Sequence, residues 1–195
     1  GVEAIEDSTF EDCKALENIK ISLGIGSIGE NAFANCSNLK KAEIPVSVIS
    51  IGSCAFSGCS ALNSVEIPDS VSAIGISAFE NCTSLGTIRI PGSVKTIEKI
   101  FPGCDSLKTV TLCNGTAKIN NEAFRELTGL ESIEIPGSLK VIGENAFREC
   151  SALNKIDLAN GMTEIGMYAF SGCSALSSVS LSEGVTSIGS YAFEG

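Results

Sequence analysis

Every phenylalanine of this chain stands in one column. The nine lie at 10, 33, 56, 79, 101, 124, 147, 170 and 193, spaced by 23 residues except for one step of 22 between Phe79 and Phe101. Other columns keep the same register. Leu follows six places after the first eight Phe, at 16, 39, 62, 85, 107, 130, 153 and 176. Ile precedes by five at 5, 28, 51, 74, 119, 142, 165 and 188, with Ile97 displaced by the short step. A chain with this periodicity is a stack of equivalent windings.

The repeating unit reads L-x-x-I-x-I-P-x-x-V-x-x-I-G-x-x-A-F-x-x-C, and its period and L-x-x-L-x-L-type spacing are the leucine-rich repeat signature. In LGTIRIPGSV (85–94), Ile88 and Ile90 alternate with polar neighbours, which predicts a short strand with one buried face. Val65 and Ile67, Ile133 and Ile135, and Ile156 and Leu158 repeat the pattern. Pro68, Pro91 and Pro136 follow the second inward residue and mark the strand end, where a ladder donor is dispensable. Across the coil, Ala32, Phe33 and Cys36 fall at helical spacing, so AFxxC reads as about one helical turn facing the core. Gly29, Gly52, Gly75, Gly143, Gly166 and Gly189 precede that turn, where the backbone is left-handed or closely packed. Asn120 fills the same column. The expected fold is an α/β leucine-rich repeat solenoid of about eight 23-residue coils, with a parallel sheet on one face and short helical turns on the other. Such units bury their apolar face only by stacking on neighbours.

At 195 residues, residues 1–195 form one domain. Both ends enter in mid-pattern, without polar caps, and the chain reads as a piece of a longer protein. A formal charge of −10 argues against nucleic acid and anionic membrane as partners. No stretch is long and apolar enough for a transmembrane segment. His is absent, which removes one common general base and metal ligand. Adjacent carboxylates such as Glu43 and Glu66, or Glu134 and Asp157, sit on an open face without the cleft that acid–base work requires. The expectation is a non-enzyme with no catalytic residues, no metal and no cofactor.

Seven of nine cysteines lie three places after Phe, at 13, 36, 59, 82, 104, 150 and 173, and Leu127 takes the eighth place. Leu cannot ligate a metal or exchange a disulfide, yet it packs in the same slot. Cysteine in this column therefore reads as a small buried hydrophobe. A straight file of thiols also cannot converge four sulfurs on one zinc. Cys54 and Cys113 stand outside the column and are the candidates for a reactive thiol. Asn35-Cys-Ser, Asn81-Cys-Thr and Asn114-Gly-Thr fit the N-glycosylation pattern.

The unit, seen in IPDSVSAIGISAFENCTSL (67–85), resembles the BspA-like, or treponemal-type, leucine-rich repeat family over essentially the whole chain. The resemblance implies a right-handed solenoid in a secreted or cell-surface protein, with adhesion to a host matrix or cell-surface protein as its role. It transfers no binding residue. The departures cluster in the middle. IEKIF (97–101) is one residue short, and TLCNGTAKINNEAF (111–124) carries Cys113 for Pro, Thr116 for Val and Asn120 for Gly. The lost residue should tighten the turn opposite the sheet and bend or twist the stack.

Side chains between the buried strand positions project outward as a ribbon. Its partner-contact candidates are Lys41, Glu43, Glu66, Thr87, Arg89, Thr109, Thr111, Ser132, Glu134, Lys155 and Asp157. The ribbon mixes both charges and lacks aromatics, which favours weak contacts multiplied over copies rather than one tight anchor. An extracellular protein-binding or adhesion module is the leading reading. The alternatives are a structural spacer with no ligand of its own and an intracellular scaffold, which nine unpaired thiols would suit.

Overall fold

Each coil contributes two strands and one chain of turns, so three hydrogen-bonded ladders hold the stack together. The computed structural model describes residues 1–158 and 160–195. Seventeen short strands, numbered in chain order, are seen among them. The front ladder comprises β2 (Asn18–Lys20), β4 (Lys41–Glu43), β6 (Ser64–Glu66), β8 (Thr87–Ile90), β10 (Thr109–Leu112), β12 (Ser132–Glu134), β14 (Ile156–Asp157) and β16 (Val179–Ser180). The second comprises β1 (Ala4–Ile5), β3 (Ser27–Ile28), β5 (Ser50–Ile51), β7 (Ala73–Ile74), β9 (Thr96–Ile97), β11 (Lys118–Ile119), β13 (Val141–Ile142), β15 (Glu164–Ile165) and β17 (Ser187–Ile188). All pairings are parallel, and partners lie one repeat apart: Ile51 pairs with Ile28 and Ile74.

The third ladder corrects the expected helical turns: no described residue is helical, and the molecule is an all-parallel β-solenoid of about eight coils. Around each Phe from Phe10 to Phe170, except Phe101 of the short coil, the chain makes consecutive β-turns. Ala34 N–H donates to Asn31 O and Cys36 N–H to Phe33 O, both three residues back. The alternate amides of Asn31, Phe33 and Asn35 donate to Ser53, Ala55 and Ser57 of the next coil. The residues flanking Phe by two places hold positive φ, as Asn31 (54°), Asn35 (59°), Cys54 (54°) and Gly58 (72°) do. A right-handed helix cannot pass through left-handed residues twice in five positions. The helical spacing of Ala32, Phe33 and Cys36 is real, but turns produce it.

The core lies between the ladders, and its files run the length of the stack. Phe33 and Phe56 are fully buried, and their rings stack with centroids 5.1 Å apart and planes within 9°. Offset stacking at this distance is a favoured aromatic geometry. The glycine column serves close packing rather than a left-handed bend. A Cβ on Gly52 would stand 2.6 Å from Gly29 C, and one on Gly166 would stand 2.6 Å from Glu144 N.

The short coil departs from that packing. Glu98 replaces the glycine, and the front and second ladders both break there: β6 is not paired with β8, nor β7 with β9. A side chain in this column does not by itself open the ladder, because Asn120 fills it in the next coil and still donates to Ile97 O at 2.9 Å; the break coincides with the one-residue-short winding. The two coils stay joined by the turn ladder, through Ser77 to Lys99 O, Phe79 to Ile100 O and Asn81 to Pro102 O. On the other side the pattern inverts. β8 pairs with β10 and β9 with β11, yet among the described residues Lys99, Phe101 and Gly103 donate no turn-ladder bond to the next coil. The ring separation widens to 5.8 Å before Phe101 and 6.4 Å after it. Side chains cross the gap instead: Lys99 Nζ reaches Glu122 at 3.2 Å, and Asn120 Nδ2 donates to Glu98 Oε1 at 2.7 Å. Thr116, the buried substitute for Val, is satisfied by donating to Val94 O at 3.1 Å.

Candidate functional site

The ribbon assembles on the outer face of the front ladder in the register its columns require. Lys41 lies beside Ser64 and Glu43 beside Glu66. Thr87 lies beside Thr109 and Arg89 beside Thr111. Thr109 and Thr111 continue to Ser132 and Glu134, and a bridge joins Ser132 to Lys155. Lys41, Glu43, Glu66, Thr87, Arg89, Glu134, Lys155 and Asp157 are exposed, while Thr109, Thr111 and Ser132 are half-buried. The hydroxyls of Thr109 and Ser132 meet at 3.2 Å.

Much of the ribbon's charge is neutralised within it. Lys41 and Asp157 sit in separate same-strand pairs, Lys41–Glu43 at 2.8 Å and Lys155–Asp157 at 2.7 Å. The hydrogen bond and charge of Lys41 hold the Glu43 carboxyl below its ordinary range, and Glu43 raises Lys41 in return. Arg89 reaches back across the unpaired β6/β8 junction to Asp69 at 2.9 Å. That hydrogen bond, with Cys113 also beside it, raises the guanidinium above its usual value. Exposed pairs of this kind contribute little stability, so they set the local pattern of charge.

Where the ladder opens, the front edge deepens into a groove of about 820 Å³ lined by Ile44, Val46, Val65, Ile67 and Pro68, with Glu66, Asp69 and Arg89 at its rim. Only Glu66 and Arg89 of these were marked by the ribbon columns. Val46 is 71% exposed, and Leu23, one coil earlier in the same column, is 77% exposed. The sequence did carry a signal for them, because later coils place Asp69, Gly92, Asn114 and Gly137 at that position.

The cysteine column is more than space-filling. Cys59 Sγ donates to Phe33 O at 3.2 Å, Cys82 to Phe56 O at 3.2 Å and Cys104 to Phe79 O at 2.9 Å. Cys36, Cys150 and Cys173 make the same bond to Phe10, Phe124 and Phe147. Each thiol thus ties its coil to a carbonyl of the preceding one. Leu127 has no hydrogen to donate to Phe101, at the junction where the turn ladder is also missing. Burial pushes the thiols of Cys59 and Cys104 up to about 12, and raises Cys36, Cys82, Cys150 and Cys173 likewise. Cys13 departs from the buried column and is exposed on the first coil. Cys54 and Cys113 are half-buried, and desolvation raises Cys54 as well. All nine cysteines are free. Among the described residues no three His, Cys, Asp or Glu side chains gather where a metal could be held. No described helix is long and apolar enough to cross a membrane.

Comparisons with known proteins agree with this geometry. The profile of the BspA type leucine-rich repeat region, in six copies, matches residues 3–124 and 98–195. The crystal structure of the T. pallidum leucine-rich repeat protein superposes with a TM-score of 0.72 at 30% identity, over 83% of this chain and 78% of that one. A leucine rich cell surface protein from Faecalibacterium prausnitzii superposes with a TM-score of 0.52 at 26% identity, over 93% of this chain and 57% of that one. No curated protein sequence matches the chain. Repeat unit, parallel ladders and whole-chain match agree: this chain belongs to the BspA-type leucine-rich repeat family.

Proposed function

We propose that this chain is an extracellular protein-binding or adhesion module that engages a host matrix or cell-surface protein along the front ribbon. Its relatives support a surface-presenting, protein-interacting role, and one is described as a cell surface protein. The solenoid is consistent with a non-catalytic scaffold. The observation that carries the reading is the ribbon's register: equivalent outward positions recur once per coil, as between Glu43 and Glu66 or Thr109 and Ser132, with both charges displayed along it, as on Lys41 and Glu43. Repetition of this kind converts weak single contacts into usable avidity.

The test is binding of the purified chain to a panel of immobilised matrix proteins. A double variant, Glu134→Lys with Asp157→Lys, reverses two exposed ribbon charges while leaving the core untouched. Affinity for a bound member should fall roughly tenfold. Unchanged affinity moves the site off this part of the ribbon. Failure to bind any panel member, or cells, favours the spacer reading.

A further inference from the structure

We infer that the groove at the C-terminal ends of β4, β6 and β8 docks a partner-protein segment in which an apolar side chain is flanked by lysine or arginine. This rests on the reading of the chain as a protein-binding module, and it specifies a site and a chemistry that the ribbon alone does not.

A smaller counterpart of about 510 Å³ lies one coil earlier, lined by Ile21, Leu23, Glu43, Ile44 and Pro45, and the groove reaches its larger volume at β4, β6 and β8. It lies where the front ladder fails between β6 and β8. Its volume of about 820 Å³ is in the range of sites that enclose several side chains. Floor and walls are apolar: Val65 and Ile67 are buried, and Ile44 and Pro68 are half-buried. Val46 stands over this floor 71% exposed, and Leu23 extends the apolar ridge one coil further. Isolated exposed apolar residues are ordinary, but a contiguous apolar strip rimmed by polar groups marks an interaction surface. In later coils the strip is replaced by Gly92, Asn114 and Gly137, so it belongs to one end of the molecule.

The charge of the rim selects the occupant. Arg89 is engaged by Asp69 at 2.9 Å, and the adjoining Glu43 is engaged by Lys41 at 2.8 Å. Glu66, which lines the groove between them, makes no ion pair among the described residues. The residues that line the groove carry two negative charges, Glu66 and Asp69, against the one positive charge of Arg89, on a chain whose formal charge is −10, while Lys20 and Lys41 lie outside it beside Glu43. An apolar side chain over Val46 and Pro68, with an ammonium or guanidinium beside Glu66, satisfies both halves of the surface. An acidic segment meets repulsion, and a purely polar one leaves the floor unfilled.

Isotope-labelled protein is titrated with the blocked peptide Ac-Gly-Lys-Leu-Lys-Gly-NH₂ and followed by amide and methyl NMR. Saturable shifts confined to residues 44–46, 65–70 and 89 are expected, with a Kd on the order of 1 mM for so short a probe. Replacing the peptide Leu by Ser, or both Lys by Glu, should weaken binding roughly tenfold. So should the exposed substitutions Val46→Asp and Glu66→Lys, whereas Lys118→Ala, on the second ladder, should leave it unchanged. Absence of saturable shifts, or equal response to the serine or glutamate peptides, overturns the proposal. The two readings separate cleanly. Matrix binding that Glu134→Lys with Asp157→Lys abolishes, while the groove peptide stays silent, removes the groove and keeps the ribbon. Specific peptide binding with no response to the ribbon variant does the opposite.

Discussion

Alkali should unfold this protein through its buried thiols. Cys59, Cys82, Cys104 and Cys150 are fully buried and donate to carbonyls of the preceding coil. Burial raises their pKa from the ordinary 9.0, to about 12 for Cys59 and Cys104, and upward likewise for Cys82 and Cys150. Because the folded values lie above the unfolded one, the native state holds more protons between pH 9 and pH 12. Stability is then complete below the unfolded value and falls as pH rises toward the folded one. At pH 10 each such thiol has given up on the order of 1 kcal/mol, and the four together about 5 kcal/mol. That is comparable to the whole stability of an ordinary domain, about 5–15 kcal/mol. Urea unfolding followed by circular dichroism at fixed pH between 7 and 11, under reducing conditions, reads the effect. The slope between pH 9.5 and 10.5 should approach about 5 kcal/mol per unit, roughly four thiols' worth. Cys82→Ala should reduce that slope by roughly a quarter, about 1 kcal/mol per unit, while lowering stability at pH 7 by about 1 kcal/mol for the lost thiol and its bond. A slope smaller than one thiol's share, or one that Cys82→Ala leaves unaltered, would refute the argument.

Two further outcomes test the packing. Gly166→Ala drives a Cβ to 2.6 Å from the backbone of the preceding coil and should cost about 3 kcal/mol; Gly137→Ala meets nothing within 4 Å and should stay within about 0.5 kcal/mol of the parent by urea denaturation. The amides of Lys99, Phe101 and Gly103, which lack the turn-ladder bonds made by Ser77, Phe79 and Asn81, should exchange with deuterium roughly a hundredfold faster than those three, and equal protection would mean the ladder is intact there.

The strands, the core files and the outward ribbon were legible because each depends on residues two apart within one coil and on strict periodicity between coils. The error in the turn has a clear cause. Positions three apart face one way both in a helix and across successive β-turns, so Ala32, Phe33 and Cys36 alone cannot separate the two. The flanking columns could have done so. Asn31, Asn35, Gly58, Asn81, Gly103 and Gly172 are residue types that tolerate positive φ, and they concentrate two places before and after Phe. The thiol bonds were hidden because they join residues 25 or 26 apart, as in Cys104 to Phe79 and Cys82 to Phe56, at a distance that only the stacked geometry reveals. The groove escaped notice for a related reason. It is deepest beside the unpaired β6/β8 junction, and which strands of a stack fail to pair is not written in the linear order.

Near-identical windings raise a question of indexing: a coil that fits its neighbour also fits its neighbour's neighbour, and a growing stack can skip a turn. The 22-residue winding resolves that ambiguity. Its Glu98 accepts from the Asn120 amide, its Lys99 finds a carboxylate on Glu122, and the following coil offers Leu127 where seven other coils offer sulfur. A chain assembling from either end has one place where the count can be checked, much as a single odd tooth sets the timing of a gear.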